Sequence, residues 1–206
     1  MSNLNNIVLS CAYLAPIDYF KIIKASEQWK LEQYENYQKQ SYRSRCHIYS
    51  ANGFLPLYIP VLRDRGFSIP IKEVKIDNSK NWQIQHWRAL VSAYNSSPFF
   101  DYYKDDFAPF YNNKYNFLFD YNIALLSLIL ELIGFPEGIE LTQDYEIVTS
   151  EYDYRDKVHP KKEPPLVSEN KKGKYHQVFA HKHGFISNLS IVDLLFNEGP
   201  QSYDYI

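Results

Sequence analysis

Sulfur is scarce in this chain: its 206 residues carry two cysteines and one methionine. Cys11 and Cys46 lie far apart with no CxxC pairing, which excludes a disulfide scaffold and a cysteine zinc site and points to reduced thiols. Glycine is also sparse, and its seven copies never form a GxGxxG, Walker A or GxSxG arrangement, so the usual nucleotide-fold and hydrolase loops lose their support. Charge of either sign is nearly balanced: 22 Lys and Arg against 24 Asp and Glu give a net of −2 and a pI near 6.3. Such a chain has no global field for polyanions, and nucleic acid is not an expected partner. Long apolar runs are missing too. The most apolar stretch, Phe117 to Phe135, is broken by Asp120, Asn122 and Glu131, so stable membrane insertion is not expected. Met1 to Ser10 has no basic start, apolar centre or small-residue cleavage site, and the expected location is cytoplasmic.

What the chain has is aromatic side chains. Nineteen Tyr, 13 Phe and 3 Trp make 17% of the residues, within a hydrophobic fraction of 45%. This is core-forming composition, and the length fits one domain over residues 1–206. Periodicity predicts a mixed α/β fold. Ile7 to Ser10, an amphipathic stretch from Pro16 to Lys24, and Trp29 to Glu32 read as an opening βαβ unit. Further strands are predicted at Arg45–Tyr49, Pro56–Val61 and Ile71–Ile76, with turn signals at Asn52-Gly53 and Arg65-Gly66. The middle is helical: one helix from Asn81 to Tyr94, a short one from Ser97-Pro98 through Tyr103, and a long one from Phe117 to Ile133, stopped by Gly134 and Pro136. Residues 157–174, polar and broken by prolines, read as a mobile loop, either a lid or a simple insertion; a strand at Tyr175–Ala180 and a helix at Leu189–Asn197 close the chain.

The densest polar segment runs from Tyr37 to Ile48 and includes Lys39. If its second half is extended, Arg43, Arg45 and His47 share one face and Tyr42, Ser44, Cys46 and Ile48 the other. Guanidiniums two residues apart on a strand stand roughly 6.5–7 Å apart at the backbone. Each can grip a phosphate or carboxylate in two parallel hydrogen bonds, while Tyr37 and Tyr42 can stack a ring. The same alternation also fits a solvated basic strand face. On the helix after Asn81, Trp82 and His86 share a face, and His86 is the candidate general base, against the alternative of a hydrogen-bonded core histidine. Cys46 reads as a small apolar strand residue. The acids Asp101, Asp105 and Asp106 lack a histidine at ligand spacing, so neither a metal nor a cofactor is expected. Ser190, Asp193 and Asn197 fall on one stripe of the last helix, either its solvent face or a polar network facing a cleft.

Several segments together carry a family resemblance. Tyr13-Leu14-Ala15-Pro16-Ile17-Asp18-Tyr19-Phe20, Tyr37-Gln38-Lys39-Gln40-Ser41-Tyr42-Arg43-Ser44-Arg45 and Leu57-Tyr58-Ile59-Pro60-Val61 come first. Asn81-Trp82, His86-Trp87, Ala93-Tyr94, Gln177-Val178-Phe179, Gly184-Phe185 and the run from Asn188 to Pro200 follow. With these pieces the chain resembles the WbqC-like protein family, in the form found in Bacteroidetes-type bacteria. That resemblance implies work in surface polysaccharide and O-antigen biosynthesis on nucleotide-linked or lipid-linked sugars, alongside other enzymes of the pathway. Many relatives read Trp-Arg-Asn-Arg-Asn where this chain has Tyr42-Arg43-Ser44-Arg45-Cys46, which argues against cysteine catalysis. The expected site therefore has Arg43 and Arg45 as anion anchors, with Tyr37, Lys39, Tyr42, Trp82 and Asn188 against the substrate. His86 is the base, and Asp193 its orienter or a hydroxyl acceptor. The expected chemistry is acyl or aminoacyl transfer to an amino-sugar nitrogen. The alternative is a non-catalytic protein of the same pathway that binds a sugar or a partner.

Overall fold

The computed structural model describes residues 6–62, 68–135, 138–163 and 172–206. The turn expected at Arg65-Gly66, the stop expected at Pro136 and residues 164–171 of the expected loop lie outside the described residues.

A mixed α/β architecture is observed. Strand β1 (Ile7–Ser10) leads through helix α1 (Ile17–Ala25) to β2 (Trp29–Glu32), and the two strands pair in parallel from Ile7 with Trp29 to Ser10 with Glu32. This is the expected βαβ opening. All four residues of β1 are buried, as a continuous apolar run covered on both faces requires. Strands β3 (Arg45–Ser50) and β4 (Gly53–Tyr58) form an antiparallel hairpin turned at Ala51-Asn52-Gly53, where Gly53 takes φ +94°. Helices α2 (Trp82–Tyr94), α3 (Phe100–Asn112) and α4 (Leu118–Ile133) make the helical middle. Strand β5 (Glu140–Leu141) then adds to β2 in parallel, giving the order β1-β2-β5, and the chain ends with α5 (Ala180–His183), α6 (Ile191–Glu198) and a 3₁₀ tail over Gly199–Tyr205.

Three expectations are corrected. The short helix after Ser97 starts later and runs to Asn112, because Phe100, Tyr103, Phe107 and Tyr111 continue one apolar stripe at spacings of three and four. Ile71–Ile76 is no strand: Ile71–Glu73 is a 3₁₀ turn, followed by isolated bridges of Lys75 to Phe117 and Ile76 to Val61. Tyr175–Ala180 is irregular, since the Gln177 side chain takes the place of a strand partner. Its amide donates to the Ile186 carbonyl at 2.8 Å and accepts from the Ile186 N–H at 2.9 Å.

The core is one continuous cluster with α6 at its centre, where every residue from Ile191 to Asn197 is buried. Phe196 receives the rings of Tyr94, Phe100 and Phe107 at 5.1 to 5.3 Å, each edge-on. Main-chain hydrogen bonds fix the start of α6 between α1 and β3: Ile17 N–H to Leu189, Ile191 N–H to Ala15, and Ser190 N–H to the His47 carbonyl. The elements that carry the polar residues below are thus locked to a single frame.

Candidate functional site

In parallel sheets, ligands bind beyond the carboxyl ends of the strands. Here those ends bring Ser10 and Glu32 side by side, and the chain leaving β2 adds Glu35. Glu35 is buried, and Arg43 reaches it from the turn before β3: Nε donates to Oε1 at 2.9 Å and Nη2 donates to Oε2. The same Nη2 donates to Ser10 Oγ at 2.6 Å, and that hydroxyl lies 3.1 Å from Glu35 Oε2 and 2.7 Å from the Arg155 carbonyl. Arg155 binds Asp153 in two parallel hydrogen bonds at 2.9 and 2.6 Å and lies 3.3 Å from the fully buried Glu32. Asp156 completes the group, accepting from Gln38 at 3.0 Å and lying 3.4 Å from Arg43.

Four carboxylates, those of Glu32, Glu35, Asp153 and Asp156, thus face two guanidiniums. Burial raises the Glu35 carboxyl above its ordinary range despite Arg43 and Ser10, whereas hydrogen bonds from Arg155 hold Asp153 below it. A cleft of about 430 Å³ opens over the group, walled by Tyr34, Glu35, Gln38, Tyr145, Arg155 and Asp156. A second cleft of about 420 Å³ shares Asp153 and Asp156 with it and bears Lys157, Lys162 and Glu163.

Of the paired arginines, the shared face is corrected. Residues 41–44 form a turn, so strand alternation begins only at Arg45, and Arg43 points back into the acidic group. Arg43 is buried and paired, not open to an incoming anion. Arg45 instead lies on the outer face of the hairpin, its guanidinium 4.5 Å over the Tyr58 ring. His47 is beside it, with its ring 4.4 Å from Phe54 and Nδ1 3.5 Å from the Tyr42 hydroxyl. Asn188 accepts from the Asp18 N–H at 3.0 Å at the start of α1. Tyr37 bonds Ser44 at 2.7 Å, and Lys39 is exposed on the loop before the turn.

His86 and Asp193 belong to separate networks. His86 is buried under the hairpin, with Nδ1 2.9 Å from the Tyr13 hydroxyl and the ring also bonded to the Tyr58 backbone. Burial lowers its pKa to about 4. Trp82 packs edge-on to it at 5.2 Å. Asp193 accepts from Tyr175 and from Gln177 at 2.9 Å within the core, and burial raises its carboxyl to about 6. Both are satisfied core groups in this geometry.

Five residues of the acidic group, Glu32, Glu35, Asp153, Arg155 and Asp156, were not singled out from the sequence. A signal existed for the first two, because acids just past the end of a parallel strand fall where such folds bind ligands. Nothing local marks the other three, which reach the group from a distant loop.

The model of the WbqC-like protein family matches residues 11–159. The chain belongs to that family. The matched span holds β1's exit, the Glu35–Arg43 pair, the hairpin and the Asp153–Asp156 loop, whereas α6 lies beyond it. The chain is 27% identical over 141 residues to the uncharacterised protein Rv1507c of Mycobacterium tuberculosis, a stretch covering 68% of this chain and 61% of that relative. It therefore spans about three fifths of the relative's length. No solved structure matches it.

Proposed function

We propose that this WbqC-like protein is a cytoplasmic transferase of bacterial surface polysaccharide assembly, moving an acyl or aminoacyl group onto the nitrogen of a nucleotide-linked or lipid-linked amino sugar. The observation that carries the reading is the cleft at the carboxyl ends of β1 and β2, where carboxylates outnumber guanidiniums. Carboxylates and the Gln38 amide accept and donate to sugar hydroxyls, Tyr34 and Tyr145 offer ring surface to a sugar face, and the excess negative charge favours an ammonium group. In the transfer step the amine nitrogen bonds to the acyl carbon and the bond from that carbon to its carrier breaks. Asp156, which is half-exposed at the cleft, first takes a proton from the bound ammonium to free its lone pair, the second N–H proton leaves with the departing carrier, and Glu35 stands behind Asp156 as a raised carboxyl. In this reading His86 and Asp193 hold the fold, and Arg43 sets the position of Glu35.

The test is a thermal-shift screen with nucleotide sugars, nucleoside diphosphates and coenzyme A, followed by mass spectrometry for acylated product from acyl-coenzyme A and UDP-glucosamine. The expected result is product that falls at least 100-fold in Asp156→Asn, as loss of a general base does. Turnover unchanged in both Asp156→Asn and Glu35→Gln overturns the site. A second reading, a non-catalytic sugar-binding or partner-binding protein of the same pathway, is favoured by the open hairpin face, where Phe54 is 53% and Tyr58 49% exposed. Saturable sugar binding without product from any donor supports that one.

A further inference from the structure

The acidic cleft leaves a question that the hairpin answers. A nucleotide-linked or lipid-linked sugar carries a diphosphate, and the cleft over Glu35 and Asp156 repels one, because both of its guanidiniums are already spent on carboxylates. Arg45 differs from Arg43 and Arg155. It makes no ion pair among the described residues, and its Nε is buried without a hydrogen-bond partner. The nearby carboxylate of Asp18 is bonded to Lys21 at 2.7 Å, so its charge is already answered. The guanidinium stands over the Tyr58 ring, its carbon 4.5 Å from the ring centroid, and the two terminal nitrogens of a guanidinium offer parallel N–H groups to a bidentate acceptor. Around it, Tyr58 and Phe54 expose about half of their surface, and His47 fills the space between.

We propose that the outer face of the β3–β4 hairpin is a distinct binding site for a diphosphate ester, with Arg45 gripping the phosphates and Tyr58 and Phe54 receiving the group they carry. This deepens the reading above by naming the carrier's chemistry and a separate place for it; only the link to transfer rests on that reading. Stacking on Tyr58 makes Arg45 pre-ordered, so the ligand orders little on arrival. The site needs the planar guanidinium and not charge alone.

The experiment is calorimetric titration of the full chain with inorganic pyrophosphate, UDP, farnesyl diphosphate and uridine, in wild type, Arg45→Ala, Arg45→Lys, Tyr58→Ala and Asp156→Asn. Pyrophosphate, UDP and farnesyl diphosphate are expected to bind and uridine to bind far more weakly. Arg45→Ala should raise Kd at least ten-fold, Arg45→Lys should recover only part of the loss, and Asp156→Asn should leave Kd unchanged. Tighter binding of UDP than of farnesyl diphosphate assigns a nucleotide carrier, and the reverse a lipid one. A wild-type chain that ignores all three diphosphates at millimolar concentration overturns the site, as does an Arg45→Ala chain that keeps the wild-type Kd and a native melting temperature. If Arg45→Ala does not fold, Arg45→Lys and Tyr58→Ala decide in its place, and unchanged Kd in both overturns the proposal. Diphosphate binding through Arg45 with no transferase product leaves this site standing and removes the transfer reading. Product formation that is indifferent to Arg45 does the opposite.

Discussion

The Arg43 guanidinium closes on the Glu35 carboxylate through both Nε and Nη2 while also holding Ser10 at 2.6 Å, and both charged side chains are almost fully buried. Neither charge has water to return to if its partner is removed. Breaking such a pair strands a buried ion at a cost of about 3–5 kcal/mol, whereas replacing both members with apolar groups is often close to neutral. Arg43→Met alone should therefore lower the unfolding free energy by about that amount. The double variant Glu35→Met/Arg43→Met should be less destabilised than the sum of its singles, as read from urea unfolding. Strict additivity refutes the pairing.

Gly199 ends α6 at φ +56° and ψ −129°, a region closed to other residues, and a Cβ built there would lie 2.5 Å from the Phe99 ring. Strain and overpacking act together at this position, each costing about 1–3 kcal/mol. Gly199→Ala should lose roughly 2–4 kcal/mol in chemical denaturation. The same change at Gly138, where no atom lies within 4 Å of a built Cβ, should be near neutral.

Neither thiol is available in the folded chain. Cys11 and Cys46 are fully buried; burial pushes the Cys11 thiol up to about 12 and the Cys46 thiol well above its ordinary range. A thiol-reactive disulfide reagent at pH 8 should label neither residue within minutes in the native protein and both in urea. Fast native labelling contradicts this packing.

The regular elements were legible because they follow local periodicity: β1, β2, the hairpin and α4 lie within a residue or a few of their predicted bounds. The site was less so. The alternation rule put Arg43 and Arg45 on one face, and it failed because residues 41–44 turn before the strand begins. A paired arginine and an unpaired one look the same in sequence; what separates them is Glu35, supplied by another element. Asp153, Arg155 and Asp156 reach Glu32 and Arg43 across more than 100 positions, and no short-range pattern encodes that approach. The histidine on α2 shows the reverse case. Its face was predicted correctly beside Trp82, yet a tyrosine hydroxyl and a carbonyl from other elements turn it into a core group.

Two buried groups pull the stability in opposite directions between pH 4 and 6.5. The folded Asp193 carboxyl titrates near 6 against an ordinary 3.8, so the native state holds more protons than the unfolded chain in that window, and its contribution is lost as pH rises through 6. His86 titrates near 4 against 6.5, so there the unfolded chain holds more protons, and its contribution is lost as pH falls from 6.5 towards 4. Each shift is worth on the order of 3 kcal/mol at 1.36 kcal/mol per pH unit, so the two oppose each other on a similar scale. His47, also lowered to about 4, adds to the His86 side, and Glu35, raised by burial, adds to the Asp193 side. Urea midpoints measured at pH 4, 5, 6 and 7 should change only modestly with pH in the wild type. Asp193→Asn removes a falling contribution and should tilt the profile towards a rise with pH. His86→Phe should tilt it the other way, even though its absolute stability falls with the loss of the Tyr13 and Tyr58 hydrogen bonds. The slope isolates titration from packing, and parallel profiles for all three proteins would mean that neither group changes its proton affinity on folding.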